Sequence, residues 1–501
     1  MKKYACMAFC IIYAVVLFAG AADSFAVKSD GGRELSGEIL AEGAVLLQNK
    51  NDVLPLKSGD TAALFGNAQI DYLCGGGGSS VMFTDYTVTP ADGLKRAAEQ
   101  GRIKLYEPLL KAYEEHAGEC KTLKALWGTD AFYENYVKES IEMDVGEELW
   151  ESSAREAQVG IFFLARYASE GFDMKAEAGG YYLTDAEEEI LRQMTTRFEK
   201  TVAILNIPSA VDISKFAGDS AVYDVDAVLS VWYPGEEAGN IIASLLLGDI
   251  NPSGKLTVTF AKDYTDYYSS QNWNNDSVVL YEEDIFVGYR QFITFNPESI
   301  LFGFGYGLSY TSFGLAGYDA RENDGVITVD ITVINTGERA GKEVIQAYFS
   351  APAGVLGKPA AELAGYVKTP LLQPGESANL KIEFDVENMS SYDDTGRLQK
   401  SAYIMEKGDY NIYLGNSLSD AMSRSPVYVY RLAENRITAQ LSERAPSTRL
   451  KKRLLADGTY EELERRSPEK NEQSVKGYEN TAEAPEDKIT LSDLYKDRSL
   501  M

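Results

Sequence analysis

A glutamate that follows an apolar run is the residue of this chain best placed for acid–base chemistry. Glu170 lies in the stretch Arg-Tyr-Ala-Ser-Glu-Gly-Phe-Asp at 166–173, directly after the apolar run 159–164. That run predicts a buried strand, and open α/β sheets place their ligand crevices at the carboxyl ends of such strands. A carboxyl group there can exchange a proton with a reacting oxygen. The alternative is an ordinary solvated loop acid.

Three further side chains are predicted to line the same crevice as binding residues. Arg166 and Asp173 flank Glu170 in sequence, and Trp232 ends another apolar run together with Tyr233. An aromatic ring at that place can offer a flat apolar face to a ligand. For the two aromatic residues, burial at a domain interface is the alternative.

Apolar runs alternate with helical patterns through the first part of the chain. Thr184 is predicted to cap the helix at 185–198, with Glu187 completing a capping box. The segment 105–156 is predicted to be a helical insertion at the edge of the layer. Runs that are apolar on both faces and separated by helices predict an α/β fold with a parallel sheet. The predicted strands are 61–65, 159–164, 202–205 and 227–231, and further helices are predicted at 90–98 and 235–247.

After residue 310 apolar residues recur at every second position. The alternation at 326–333 and the short runs that follow, without helical patterns, predict an all-β sandwich. From 434 onward the chain is charged and poor in aromatic residues, which favours a linker or tail. The further strands of the sandwich are predicted at 343–350, 379–386, 409–414 and 427–430.

Composition and charge exclude several classes of function. The 501 residues carry a net charge of −28, so a phosphate backbone would be repelled and nucleic acid is excluded as a partner. The single histidine, His116, is predicted to lie on a helix surface, and no metal site is indicated. Cys74 and Cys120 are the cysteines outside the N-terminal segment, and whether they pair stays open. The glycine-rich segment 75–80 lacks the lysine of a phosphate-binding loop.

The N-terminal segment has the layout of a secretory signal. Lys2 and Lys3 precede an apolar stretch, and Ser24 and Ala26 are small residues at the two recognition positions before Val27. We therefore predict a signal peptide at 1–26 and an exported protein, secreted, periplasmic or at the cell surface. An uncleaved membrane anchor is the alternative.

Several motifs, in order, resemble family 3 glycoside hydrolases. They include Val-Trp-Tyr-Pro-Gly at 231–235, Asn-Pro-Ser-Gly-Lys-Leu at 251–256 and Phe-Gly-Tyr-Gly-Leu-Ser-Tyr at 304–310. Asn-Thr-Gly at 335–337 and Gly-Lys-Glu-Val at 341–344 resemble the fibronectin type III-like module of the family. The resemblance implies an α/β-sandwich domain at 30–310, a fibronectin type III-like domain at 311–433 and a charged linker at 434–501.

The resemblance implies a retaining, β-glucosidase-like enzyme that acts on β-linked glycosides without a cofactor. Such chemistry needs a nucleophile and a general acid about 5 to 5.5 Å apart. In the family the nucleophile is an aspartate of a (β/α)8 barrel in a Ser-Asp-Trp-type motif, and the acid/base is a glutamate whose position Glu170 matches. Arg166, Asp173 and Trp232 would then hold the sugar.

The barrel of the family has no counterpart in the sequence. No Ser-Asp-Trp occurs, and the arginine that commonly lies beside the Glu-x-x-Asp stretch is replaced by Phe172 and Met174. We expect the front half of an enzyme with inverted domain order, inactive without a barrel, which a separate polypeptide could supply. A non-catalytic carbohydrate-binding module and a relic fragment are the alternatives. The acidic run 281–284 is expected to be a return segment packed on the sheet.

Overall fold

A six-stranded sheet forms the centre of the first domain in the computed structural model, which describes residues 30–76, 82, 84, 86–124, 142–168, 173–273, 279–442 and 450–463. The strands lie in the order β1-β6-β5-β4-β2-β3. β2 to β6 run parallel, and β1 pairs antiparallel with β6 at one edge. The strands are β1 (Val45–Asn49), β2 (Thr61–Phe65), β3 (Lys104–Leu105), β4 (Val159–Ala165), β5 (Lys200–Asn206) and β6 (Ala227–Ser230).

Helices cover both faces of this sheet, and this confirms the α/β prediction. One face packs against α1, α2 and α6, and the other packs against α4 and α5. α3 follows the edge strand β3 and places side chains in the apolar cores on both faces of the sheet. It lies at the sheet edge, where the helical insertion was predicted. The helices are α1 (Asp30–Gly43), α2 (Pro90–Glu99), α3 (Glu107–Lys124), α4 (Glu147–Glu156), α5 (Asp185–Arg197) and α6 (Ala238–Leu247).

Neither edge strand of this sheet was predicted from the sequence. β1 is a buried strand that runs against the others, and β3 contains only Lys104 and Leu105. A strand of two residues has no hydrophobic period to recognise. β1 is apolar on both faces, and nothing in such a run shows its direction.

Two antiparallel sheets enclose the core of the second domain, as predicted for a sandwich. In one sheet the order is β13 (Ser377–Asp385), β10 (Val326–Asn335) and β9 (Phe313–Asn323). In the other the order is β12 (Glu362–Lys368), β11 (Val344–Ser350), β16 (Gly408–Gly415) and β17 (Tyr428–Leu432). Their inner faces share one apolar core, in which Val329 of the first sheet lies with Ile345 and Ile412 of the second. A small third sheet completes the domain, with the order β14 (Ser391–Asp393), β15 (Ala402–Met405) and β18 (Arg436–Gln440).

The remaining elements have the following bounds. The antiparallel pair β7 (Phe260–Ala261) and β8 (Ile300–Phe302) and the helix α7 (Tyr289–Phe295) lie at the end of the first domain. The second domain also contains the short helix α8 (Leu418–Met422), between β16 and β17.

The expectation of a coreless linker from 434 onward is wrong for its first part. β18 joins the third sheet, and β19 (Lys452–Leu454) pairs with β20 (Tyr460–Glu462) in a hairpin whose Leu454 is buried. The charged side chains that suggested a solvated tail find opposite charges elsewhere in the chain. The predicted signal segment 1–26 lies outside the described residues, and within them no helix is long and apolar enough to span a membrane.

Helices α2 and α6 pack closely against each other at Gly93 and Gly239, and this packing requires glycine at both positions. A Cβ atom at Gly93 would lie 1.9 Å from the carbonyl oxygen of Gly239, where only backbone could give way. Gly93→Ala should therefore lower the free energy of unfolding by about 2–3 kcal/mol, in the upper range for overpacking. Gly43→Ala is the control, because a Cβ there meets nothing within 4 Å. Equal unfolding temperatures for the two variants would contradict this close packing.

Candidate functional site

The carboxyl ends of the parallel strands bring the predicted site residues to one edge of the sheet. Arg166 directly follows β4, Asn206 ends β5, and Trp232 lies just beyond β6. Because β4, β5 and β6 are parallel neighbours, these three positions are adjacent. Glu170 lies in 169–172, outside the described residues, so its predicted role stays a prediction. Asp173 is exposed and free to face solvent or a ligand.

Arg166 is buried, and its environment does not fit the predicted contact with substrate. The side chain is 3% exposed. Its Nη1 and Nη2 donate to the two carboxylate oxygens of Glu187, each at 2.7 Å. The other donors bind the carbonyl oxygens of Ala165, Gly180 and Tyr182 at 2.8, 2.7 and 3.1 Å. A guanidinium has five N–H donors, and all are used here. Arg166 therefore has no N–H donor left for a substrate.

Glu187 connects this ion pair to the start of α5. Its Oε2 accepts from the N–H of Thr184 at 2.8 Å, and its own N–H donates to the Thr184 hydroxyl at 3.2 Å. This is the capping box that the sequence predicted, and it is confirmed. The same carboxylate thus caps the N-terminus of α5 and neutralises Arg166. The pair joins the end of β4 to the beginning of α5 across the intervening loop.

Tyr233 braces the backbone directly before the predicted acid. Its hydroxyl accepts from the N–H of Ala168 at 3.0 Å and lies 3.3 Å from the carbonyl oxygens of Arg166 and Ala168. Burial raises the pKa of the Tyr233 hydroxyl, so this hydroxyl stays protonated and can donate to one of those oxygens. The sequence placed Tyr233 at this edge but assigned it no such contact.

Asn206 holds two neighbouring loops to the end of β5. Its Nδ2 donates to the carbonyl oxygens of Leu73 and Trp232 at 3.0 and 2.6 Å, and its Oδ1 accepts from the N–H of Leu73 at 2.7 Å. Its carbonyl oxygen accepts from the N–H of Arg166 at 3.0 Å. Asn206 was not predicted as a site residue, although a polar residue at the end of an apolar strand can be recognised in the sequence.

Trp232 has a strained backbone that these contacts maintain. Its φ is +53°, a conformation that large side chains rarely adopt. Its indole N–H donates to the carbonyl oxygen of Gly43 at 3.0 Å, and its ring is partly buried against the core. Strain of this kind is often retained at functional sites. Stacking of a ligand on the exposed part of the ring stays a prediction.

Glu142 is a titratable group near the ion pair that the sequence did not suggest. Burial raises the pKa of its carboxyl to about 7, against the opposing effect of the N–H of Asn67. The negative charge of Glu187 also raises this pKa, whereas the N–H of Met143 and the positive charge of Arg166 lower it. The N–H of Asn67 donates to both carboxyl oxygens at 2.9 and 3.1 Å. The carboxyl therefore fastens the loop after β2 to the segment 142–145.

Removing Glu187 should damage the fold far more than removing an exposed glutamate of the same helix. Glu187→Ala leaves the guanidinium of Arg166 buried without its counter-charge, which costs about 3–5 kcal/mol of unfolding free energy. Glu189→Ala is the control, since Glu189 forms an exposed pair with Arg192 and should cost ~1 kcal/mol or less. Chemical denaturation measures both. Similar losses would show that the buried pair does not hold the loop.

Glu142 should make stability depend on pH. Because the folded protein binds this proton more tightly than the unfolded chain, the free energy of unfolding should fall as pH rises from 4.5 to about 7. Glu142→Gln keeps an acceptor and removes the charge, so its unfolding temperature at pH 8 should exceed that of the parent by ~2–4 °C. At pH 4 the unfolding temperatures of the variant and the parent should be equal. Asp144→Asn, at an exposed neighbour, should change neither value; a parent-like pH profile for Glu142→Gln would refute the prediction.

Comparisons with known proteins identify relatives of this chain. Beta-glucosidase A of Butyrivibrio fibrisolvens is 38% identical over 475 residues, covering 87% of this chain and 55% of that protein. A β-glucosidase of Ruminococcus albus is 38% identical over 435 residues, covering 86% of this chain and 44% of that protein. The chain thus spans about half the length of these relatives.

Solved structures match over a similar extent. A β-glucosidase of Paenibacillus barengoltzii superposes with a TM-score of 0.80 at 37% identity, covering 88% of this chain and 49% of that one. β-Glucosidase 3B of Thermotoga neapolitana, solved with glucose, gives 0.70 at 32% identity, covering 82% and 55%. Residues 343–418 match the fibronectin type III-like domain. Residues 44–310 match the glycosyl hydrolase family 3 C-terminal domain, and the chain belongs to that family.

Proposed function

We propose that this chain is the acid/base-bearing part of a β-glucosidase-like glycoside hydrolase. The relatives and solved structures that it matches are named β-glucosidases, and Glu170 follows the central strand β4 in sequence. The observation that carries the proposal is the bracing of the carboxyl edge. Arg166 and Tyr233 hold the backbone that leads into 169–172, and the same guanidinium holds Gly180 and Tyr182 beyond it.

In the proposed mechanism Glu170 protonates the glycosidic oxygen as the leaving group departs and later removes a proton from water. The second carboxylate, the nucleophile, would come from a barrel domain that the 501 residues do not include. This domain would belong to a longer protein or to a separate polypeptide. The two carboxyl groups of a retaining enzyme lie about 5–5.5 Å apart, so the loop that bears the acid must be held closely.

The residues of this chain therefore divide into groups that position the loop and groups that contact the sugar. Arg166, Glu187 and Tyr233 position the loop through backbone contacts and have no donor directed at a ligand among their described contacts. Asp173 and the exposed part of the Trp232 ring are proposed to bind the β-linked glycoside. A hydroxyl of the sugar can donate to the carboxylate, and its apolar face can stack on the indole.

Leaving-group dependence tests the role of Glu170. We would fuse the chain to the part of the Butyrivibrio fibrisolvens relative that lies outside the matched region and measure kcat/KM on aryl β-glucosides. Glu170→Ala should slow hydrolysis about 10²–10⁴-fold for poor leaving groups and far less for good ones, which need little protonation. The chain without the fusion should show no turnover.

Glu177→Ala is the matched control, because Glu177 is an exposed glutamate later in the same loop. It should leave both classes of substrate unaffected. Equal slowing of good and poor leaving groups by Glu170→Ala would remove the acid assignment. Turnover by the chain alone that survives Glu170→Ala would overturn the proposal that the catalytic pair is divided between this chain and a barrel.

A further inference from the structure

The hairpin formed by β19 and β20 lies against both domains. On the first domain, the N–H of Leu454 donates to the carbonyl oxygen of Glu282 at 2.7 Å, and the Lys452 ammonium lies 3.3 Å from the Glu282 carboxylate. On the second, Nη1 of Arg453 donates to Asp394 at 2.8 Å. The acidic run 281–284, which the sequence analysis expected on the sheet, thus lies beside this hairpin.

Arg453 is the centre of these contacts. Its side chain is 11% exposed and pairs with carboxylates of both domains and of the hairpin itself. Asp394 lies at 2.8 Å, Glu461 at 2.9 Å and Asp284 at 3.7 Å. Exposed ion pairs contribute little to stability, whereas an arginine that is mostly buried among several carboxylates is strongly coupled to them. Arg453 is therefore more than a surface charge.

Apolar packing and a second ion pair complete the contact. Leu454 is 1% exposed, so the hairpin buries an apolar side chain where it lies on the domains. Nη2 of Arg397, in the second domain, pairs with Glu461 at 2.6 Å. A Cβ atom at Gly357 would lie 3.3 Å from the Cβ of Ala456, so the hairpin turn also reaches the loop after β11.

We propose that residues 450–463 form a clasp that fastens the two domains to each other through Arg453. Asp284 of the first domain and Asp394 of the second face the same guanidinium and would repel each other without it. The clasp opposes separation of the domains only while it is docked. Added salt weakens it because the three carboxylates that face Arg453 are 31–52% exposed and are therefore screened by ions. This inference is independent of the proposed glycosidase activity.

Hydrogen exchange of the full chain tests the clasp. In Arg453→Met, peptides that cover 450–463 and 281–288 should exchange at least about tenfold faster than in the parent, since docking is what protects the Leu454 amide. Peptides from β4 and β10 should be unchanged. Added salt should accelerate exchange of 450–463 in the parent and have little further effect in the variant. Arg424→Met is the control, because Arg424 forms an exposed pair with Asp420.

The outcomes show whether Arg453 and its partners in the two domains hold the hairpin in place. If Arg453→Met and Arg424→Met exchange alike at 450–463, or if salt does not affect the parent, the proposal is overturned. Should Arg453→Met fail to fold, the double variant Asp284→Asn, Asp394→Asn removes the domain partners and keeps the arginine. Faster exchange of 450–463 in that variant supports the clasp, and parent-like exchange overturns it.

Discussion

The ion pair between Arg166 and Glu187 is the constraint on which the edge of the first domain depends. A buried guanidinium is costly unless each donor is bound, and here it is satisfied by one carboxylate and three carbonyl oxygens. Those partners come from the end of β4, from the loop beyond it and from the first turn of α5. The loop between β4 and α5 therefore has both of its ends fixed by one side chain. The bracing by Tyr233 and Asn206 extends the same principle to the neighbouring strands.

The polar residues at this edge bind backbone groups, and this has a physical cause. Where parallel strands end, their last N–H and C=O groups lose sheet partners and must be satisfied otherwise. Asn206 and Tyr233 supply those partners, and their contacts accompany the positive φ of Trp232. Side chains that are locked in this way form a rigid support, which a reactive group on the adjacent loop requires.

The sequence was sufficient for what is local and periodic. The buried strands β2, β4 and β5 are apolar runs, and the capping box at Thr184 and Glu187 is visible from a spacing of three residues. It was insufficient for pairings between distant residues. Arg166 was expected to bind ligand because a strand end looks the same whether its side chain faces solvent or Glu187. Arg453 was interpreted as part of a solvated tail because its partners Asp284 and Asp394 lie far away in sequence.

A catalytic pair divided between domains would place unusual demands on domain packing. Within one sheet, strand pairing fixes the distance between two carboxyl groups, but across domains that distance depends on an interface. Two domains of one chain can normally move relative to each other across the interface between them. If Glu170 acts with a carboxylate from outside this chain, an ångström of displacement matters to the reaction. The brace at Arg166 holds the loop to its own sheet, and the clasp at Arg453 holds that domain to the next. In that case both arginines would support precision at the proposed site, although neither is expected to contact the substrate.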